Sequence, residues 1–118
     1  MDQSYLSNTK MAQDLKKTIP DEIHYDQDSL NIRWKDGVES SYNLLDLRKK
    51  CPCASCRGGH GGKVGAATGH IEIAKIISWT KVGRYAINIV WNDYHKTGIY
   101  SYDNLRAYSD GITTAFEE

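Results

Sequence analysis

Three cysteines stand within six residues, Cys51-Pro52-Cys53-Ala54-Ser55-Cys56, and they are all the cysteines in the chain. An odd number this close together cannot pair off completely as disulfides. Thiolates are soft donors, and three of them curled around one point suit a transition metal. Zinc takes four ligands in structural sites, and so does the iron of a cluster, so the motif asks for a fourth. Four histidines compete: His24, His60, His70 and His95. By local spacing His60 closes a compact C-x-C-x2-C-x3-H loop. A metal whose binding energy serves folding joins distant segments, and that favours His95, in a turn between two expected strands. Lys49, Lys50 and Arg57 flank the cluster and would offset its negative charge.

Other chemistry is poorly supported. Residues 57–70 hold six of the ten glycines, and Gly59-x-x-Gly62-Lys63 invites comparison with a phosphate-binding loop. Arg57 stands where that motif needs its first glycine, and Val64 replaces the hydroxyl residue that holds magnesium. His24-Tyr25-Asp26 reads as H-x-D, the start of a two-histidine, one-carboxylate iron site. Alternation puts His24 and Asp26 on the polar face of a strand, which argues against it. A cysteine with two more beside it is a better chelator than a tuned nucleophile. The sequence therefore predicts no catalytic residues, and a small stand-alone enzyme is the least favoured reading.

The composition frames these residues. The chain has 118 residues, with Lys plus Arg and Asp plus Glu balanced at 15 each. That is enough for one domain with a modest core, and it offers no basic field for nucleic acid. No apolar run approaches the ~20 residues that cross a bilayer. The opening MDQSYLSNTKMAQDLKK lacks the apolar core of a signal peptide. Clustered, odd-numbered cysteines fit a reducing compartment, so a cytoplasmic protein is expected.

Hydrophobic period places the motif on elements. Leu6, Met11, Leu15 and Ile19 give a weak helical stripe over about residues 8–17, and residues 1–19 read as an N-terminal arm. Ile23, Tyr25, Leu30, Ile32 and Trp34 alternate as strands, with a turn at 26–29. Asp36-Gly37 suits a tight hairpin turn, and the chain returns as a strand over 38–42. Leu44, Leu45, Leu47 and Arg48 form a short helix with Asn43 as its cap, and Pro52 ends it. A bent strand is expected over 70–82, and Tyr85, Ile87, Ile89 and Trp91 form the clearest strand. After a turn at 92–96 the chain returns over 97–101 and closes with a short helix over 103–108. Residues 111–118 read as a tail with Phe116 as its candidate anchor. Tyr94, Tyr100, Tyr102 and Tyr108, with Trp91, are core or edge residues, and some of them are candidates for a protein-binding surface.

Two passages resemble each other. Ile32, Trp34, Asp36 and Leu47-Arg48 recur as Ile89, Trp91, Asp93 and Leu105-Arg106. Each unit reads strand, tight turn, strand, helix. This points to an internal duplication with one extra residue at the second turn, where His95 lies.

The runs IRWKDG, LLDLRKKCPCASC and RYAINIVWNDYHKTGIYSYDNLR resemble the N-terminal domain of gamma-butyrobetaine hydroxylase and the small bacterial proteins grouped with it as a domain of unknown function. The resemblance spans roughly residues 20–108, and LR-x-x-CPC-x-x-C with W-x-D-x-H-x-TGIYS carries most of it. It implies one zinc held by Cys51, Cys53, Cys56 and His95. Tyr94 departs from the glycine common before that histidine. The oxygenase iron of the hydroxylase belongs to a separate barrel, so the resemblance implies an accessory role. In the hydroxylase the domain helps dimer assembly and borders the substrate region; in some bacterial proteins a similar domain is joined to an iron–sulfur carrier of the P-loop ATPase type.

Together these readings predict an α+β domain over residues 20–110, mainly antiparallel strands in hairpins with two short helices, fastened by metal. The expected function is a zinc-binding accessory or protein-interaction module with a protein partner or a second copy, and with neither nucleic acid nor membrane. The alternative is iron or iron–sulfur cluster handling on the same cysteines.

Overall fold

The computed structural model describes residues 15–53, 55, 56, 58, 67–96, 98–112 and 114–116. The expected helical stripe lies mostly outside these; within them Leu15 and Lys16 are helical, and Leu15 is exposed. No helix among the described residues is long and apolar enough to cross a membrane.

The fold is two antiparallel three-stranded sheets, each followed by a short helix. The first sheet joins β1 (Pro20–Tyr25), β2 (Ser29–Trp34) and β3 (Glu39–Asn43), in that order, and leads into α1 (Leu44–Lys49). The second joins β4 (Ile76–Val82), β5 (Ala86–Trp91) and β6 (Gly98–Ser101), again in order, and leads into α2 (Tyr102–Ser109). Period-two patterning does what the sequence implies. Leu30, Ile32 and Trp34 of β2 are buried while their neighbours are not, and Ile87, Ile89 and Trp91 of β5 are fully buried. Each helix is capped by a side chain. Asn43 accepts from the Asp46 N–H at 3.0 Å and Ser101 from the Asn104 N–H at 3.2 Å, which satisfies one otherwise unpaired donor per helix.

One strand is shorter than expected. Residues 71–75 are not in β4, which starts at Ile76. Ile76 faces Trp91, the last residue of β5, so the ladder has no partner before it. The Lys75 N–H instead donates to the Asn92 side chain at 2.9 Å, and Ile73 is exposed. Tyr85 also falls outside β5 and is exposed; its carbonyl accepts from the Tyr102 N–H at 2.7 Å. Phe116 is buried, edge-on to Tyr100 at 5.7 Å between ring centroids, and so anchors the C-terminal segment.

The halves repeat in detail. The Gly37 N–H donates to the Trp34 carbonyl, and the Tyr94 N–H to the Trp91 carbonyl, both at 2.9 Å. Asp36 accepts from the Val38 N–H and Asp93 from the His95 N–H. β1 and β4 carry a register shift at the matching place, between Pro20 and Glu22 and between Ile76 and Ser78. Trp34, Asp36, Gly37 and Val38 thus match Trp91, Asp93, Tyr94 and His95. The extra residue of the second unit falls after His95, not at it.

Each half also holds the other in the same way. The Tyr42 hydroxyl donates to the Leu105 carbonyl, and the Tyr100 hydroxyl to the Leu47 carbonyl, both at 2.6 Å and buried. Arg106 of α2 pairs with Asp36 of the first turn at 2.9 Å, and Arg48 of α1 with Asp93 of the second at 2.8 Å. Burial works to raise the Asp36 carboxyl, but the Val38 N–H and the Arg106 guanidinium outweigh it and hold its pKa below the ordinary value. A depressed folded-state pKa stabilises the fold fully above the unfolded value, about 3.9, and the effect fades as pH falls through the folded one. Asp36→Asn is therefore expected to cost about 2 kcal/mol at pH 7. In urea melts followed from pH 7 downward, the gap between variant and wild type closes below about pH 4; a gap that stays constant with pH would contradict this role.

Candidate metal centre

The centre is assembled where α1 ends. Leu44 and Leu47 bury the inner side of α1, and the Tyr100 hydroxyl fixes its last turn through the Leu47 carbonyl. The Cys51 N–H donates to the Arg48 carbonyl at 3.2 Å, and Pro52 then prevents another turn. Cys51 is therefore placed by the helix, and it is fully buried. Cys53 is half-buried and Cys56 is buried. The chain comes back to the cluster after the glycine-rich segment, where the Ala67 N–H donates to the Cys56 carbonyl at 3.0 Å.

His95 arrives from the other half. After β5 the chain turns, and the Trp91 N–H donates to the His95 carbonyl at 3.0 Å. Tyr94 lies in the left-handed region with φ 63°, a conformation that costs an L-residue about 1–2 kcal/mol. At the matching position of the first half, Gly37 takes φ 93° without a Cβ to clash. The strain at Tyr94 sits beside the residue that the turn presents.

His95 Nε2 lies 3.2 Å from Cys51 Sγ, 3.3 Å from Cys53 Sγ and 3.4 Å from Cys56 Sγ. All four donor atoms lie within 4.8 Å of one another. A zinc tetrahedron with ordinary Zn–S and Zn–N bonds has S···N edges of about 3.5 Å. The donor set and its spacing fit such an ion, and no cysteine is tied up in a disulfide. Among the described residues this is the one group of His, Cys, Asp or Glu side chains arranged to hold a metal.

The electrostatics suit the same purpose. Burial pushes the Cys51 thiol well up, and the neighbouring Cys56 and Cys53 push it further. Burial also raises Cys56, against the opposing hydrogen bond from Arg48. Burial, and then the charge of Arg48, lower the His95 imidazole, so its ring is neutral with a lone pair to give. Without a metal the Cys51 and Cys56 thiols keep their protons at neutral pH; a metal must displace them, and its uptake releases protons.

The residues singled out from sequence separate clearly. Cys51, Cys53, Cys56 and His95 come together. His60, Arg57 and the residues compared with a phosphate loop, 59–64, lie outside the described residues. His24 and His70 are exposed. Asp26 caps its own turn, accepting from the Asp28 and Ser29 N–H groups at 2.8 Å. Of the aromatic residues weighed as a binding surface, Trp91, Tyr100 and Tyr102 are core, Tyr108 is half-buried, and Tyr94 is exposed.

Sequence reasoning missed Arg48 and Asp93. It assigned the compensating charge to Lys49, Lys50 and Arg57, yet Lys50 stands over the Tyr108 ring instead. The side chain that touches the cluster is Arg48, which donates from Nη1 to Cys56 Sγ at 3.0 Å and from Nη2 to Asp93 at 2.8 Å. The internal repeat carried the signal, because Arg48 and Asp93 match Arg106 and Asp36.

Comparison with known proteins bears on the family and the fold. The family described as gamma-butyrobetaine hydroxylase-like, N-terminal, matches residues 22–106. A search of curated proteins finds no match. A solved protein of unknown function from Acidithiobacillus ferrooxidans, described as belonging to the DUF971 family, is 27% identical with a TM-score of 0.62, covering 80% of this chain and 96% of that one. A solution NMR structure is 25% identical with a TM-score of 0.60, covering 82% of this chain and 76% of the other. A second, at 20% identity and a TM-score of 0.61, covers 83% and 80% and speaks to the fold alone. With residues 22–106 matched, the chain belongs to the gamma-butyrobetaine hydroxylase-like N-terminal domain family.

Proposed function

We propose that this domain is a zinc-binding accessory module without catalysis of its own. The observation that carries the reading is the convergence of Cys51, Cys53, Cys56 and His95, with donor atoms within 4.8 Å, from two halves of the chain. Three thiolates and one imidazole fill a zinc tetrahedron, which leaves no position for a substrate. The ion is therefore structural: it ties the end of α1 to the turn after β5 and holds the surface around them in one shape. That surface serves a protein partner or a second copy. Reduced cysteines in the cluster suit the cytoplasm. An iron or iron–sulfur centre on the same ligands is the competing outcome.

Elemental analysis of protein purified without oxygen separates the two. The reading expects one zinc per chain and a colourless solution; iron with visible absorption would replace it with the cluster-handling reading. Cys51→Ser is expected to abolish zinc retention and lower the melting temperature, since metal binding and folding are linked. No metal in the native protein, with an unchanged melting temperature for Cys51→Ser, would sink the proposal. Substitution also tests the fourth ligand. His95→Ala is expected to lose zinc while His60→Ala keeps it, and the reverse result would move the ligand to the glycine-rich segment.

A further inference from the structure

The two halves are built alike, so each supplies a control for the other. Arg48 and Arg106 hold matching places near the ends of α1 and α2. Both are buried, and each reaches across to the turn aspartate of the opposite half. They differ in their second acceptor. Arg106 Nε donates to the Asp110 carboxylate at 3.1 Å, one helical turn on. Arg48 Nη1 donates to Cys56 Sγ at 3.0 Å. A sulfur thus stands beside Arg48 where Arg106 has a carboxylate.

We propose that Arg48 is the positioning residue of the metal centre, a guanidinium that holds Cys56 as a thiolate ligand and joins it to Asp93 beside His95. This deepens the metal-centre reading above and rests on it. Zinc with three thiolates and a neutral imidazole carries one net negative charge. Burying that charge is costly unless a cation accompanies it. Arg48 supplies the cation at hydrogen-bond distance, and its planar fork fixes direction as well as charge. Its other branch holds Asp93, whose Oδ1 accepts from the His95 N–H at 3.3 Å. One side chain therefore orients a ligand from each half. Partners of this kind, one bond removed from a metal, commonly change its affinity by about 10–100-fold.

Cobalt(II) titration against a competing chelator tests this, because cobalt reports thiolate ligation through its sulfur-to-metal absorption band. Arg48→Gln is expected to weaken cobalt binding by about 10–100-fold and to shift that band. Arg106→Gln removes the matching clasp in the other half. It should lower the melting temperature while affinity stays within about twofold of wild type and the band does not move. Arg48→Lys keeps the charge without the fork and should fall between wild type and Arg48→Gln. If Arg48→Gln does not fold, Arg48→Lys against Arg106→Lys decides on the same criteria. Equal losses of affinity in the two halves, or wild-type affinity and an unmoved band in the Arg48 variants, would overturn the assignment while leaving the metal centre intact. A wild-type protein that binds no cobalt would overturn both.

Discussion

The structure depends on a reciprocal clasp between its halves. Each sheet ends in a tyrosine whose hydroxyl caps a leucine carbonyl in the helix of the other half, Tyr42 to Leu105 and Tyr100 to Leu47. Each helix sends an arginine to the aspartate in the other's turn. The tyrosine contacts are buried and the arginine pairs partly so, and a buried polar group left without a partner costs about 1–3 kcal/mol. The halves are therefore held in one relative position by polar constraint as well as by the shared apolar core of Trp34, Trp91 and the residues around them.

The two ends of the clasp are closed differently. At the first, the Trp34 indole donates to Ser40 Oγ at 2.8 Å, and Ser40 meets Ser109 at 2.8 Å. At the second, Gly98 stands in the place of Ser40 and Cys51 in the place of Ser109. A Cβ at Gly98 would lie 3.1 Å from the Trp91 indole nitrogen, so any side chain there would have to push its neighbours aside by a few tenths of an ångström. Trp91 Nε1 finds no acceptor among the described residues. The second end thus lacks the hydroxyl pair that closes the first, and it is there that three thiols and an imidazole collect. A metal ion held by this group would supply at that end what side-chain hydrogen bonds supply at the other.

Much of this was legible in the sequence because it rests on local rules. Alternation at Leu30, Ile32 and Trp34, the Asn43 cap and the halt at Pro52 each follow from a few adjacent residues. The repeat was legible for the same reason, and it brought His95 into view as a candidate ligand. The contact of Arg48 with the cysteine cluster was not legible from α1, where Arg48 reads as an ordinary basic residue in a last turn, although the repeat pairs it with Arg106. One partner, Cys56, is eight residues away beyond Pro52, and the other, Asp93, is brought in only by the crossing of two halves far apart in sequence. The limit of β4 at Ile76 was hidden likewise. The β-branched run continues through Ile71 and Ile73, but only the end of β5 at Trp91 decides where pairing stops.

The central claim is that one metal ion joins these halves through Cys51, Cys53, Cys56 and His95. X-ray absorption at the zinc edge of the metal-loaded protein tests it most directly. The account predicts a first shell of three sulfurs at about 2.3 Å and one nitrogen at about 2.0–2.1 Å. A shell with fewer than three sulfurs, or with oxygen in place of the imidazole nitrogen, would contradict it.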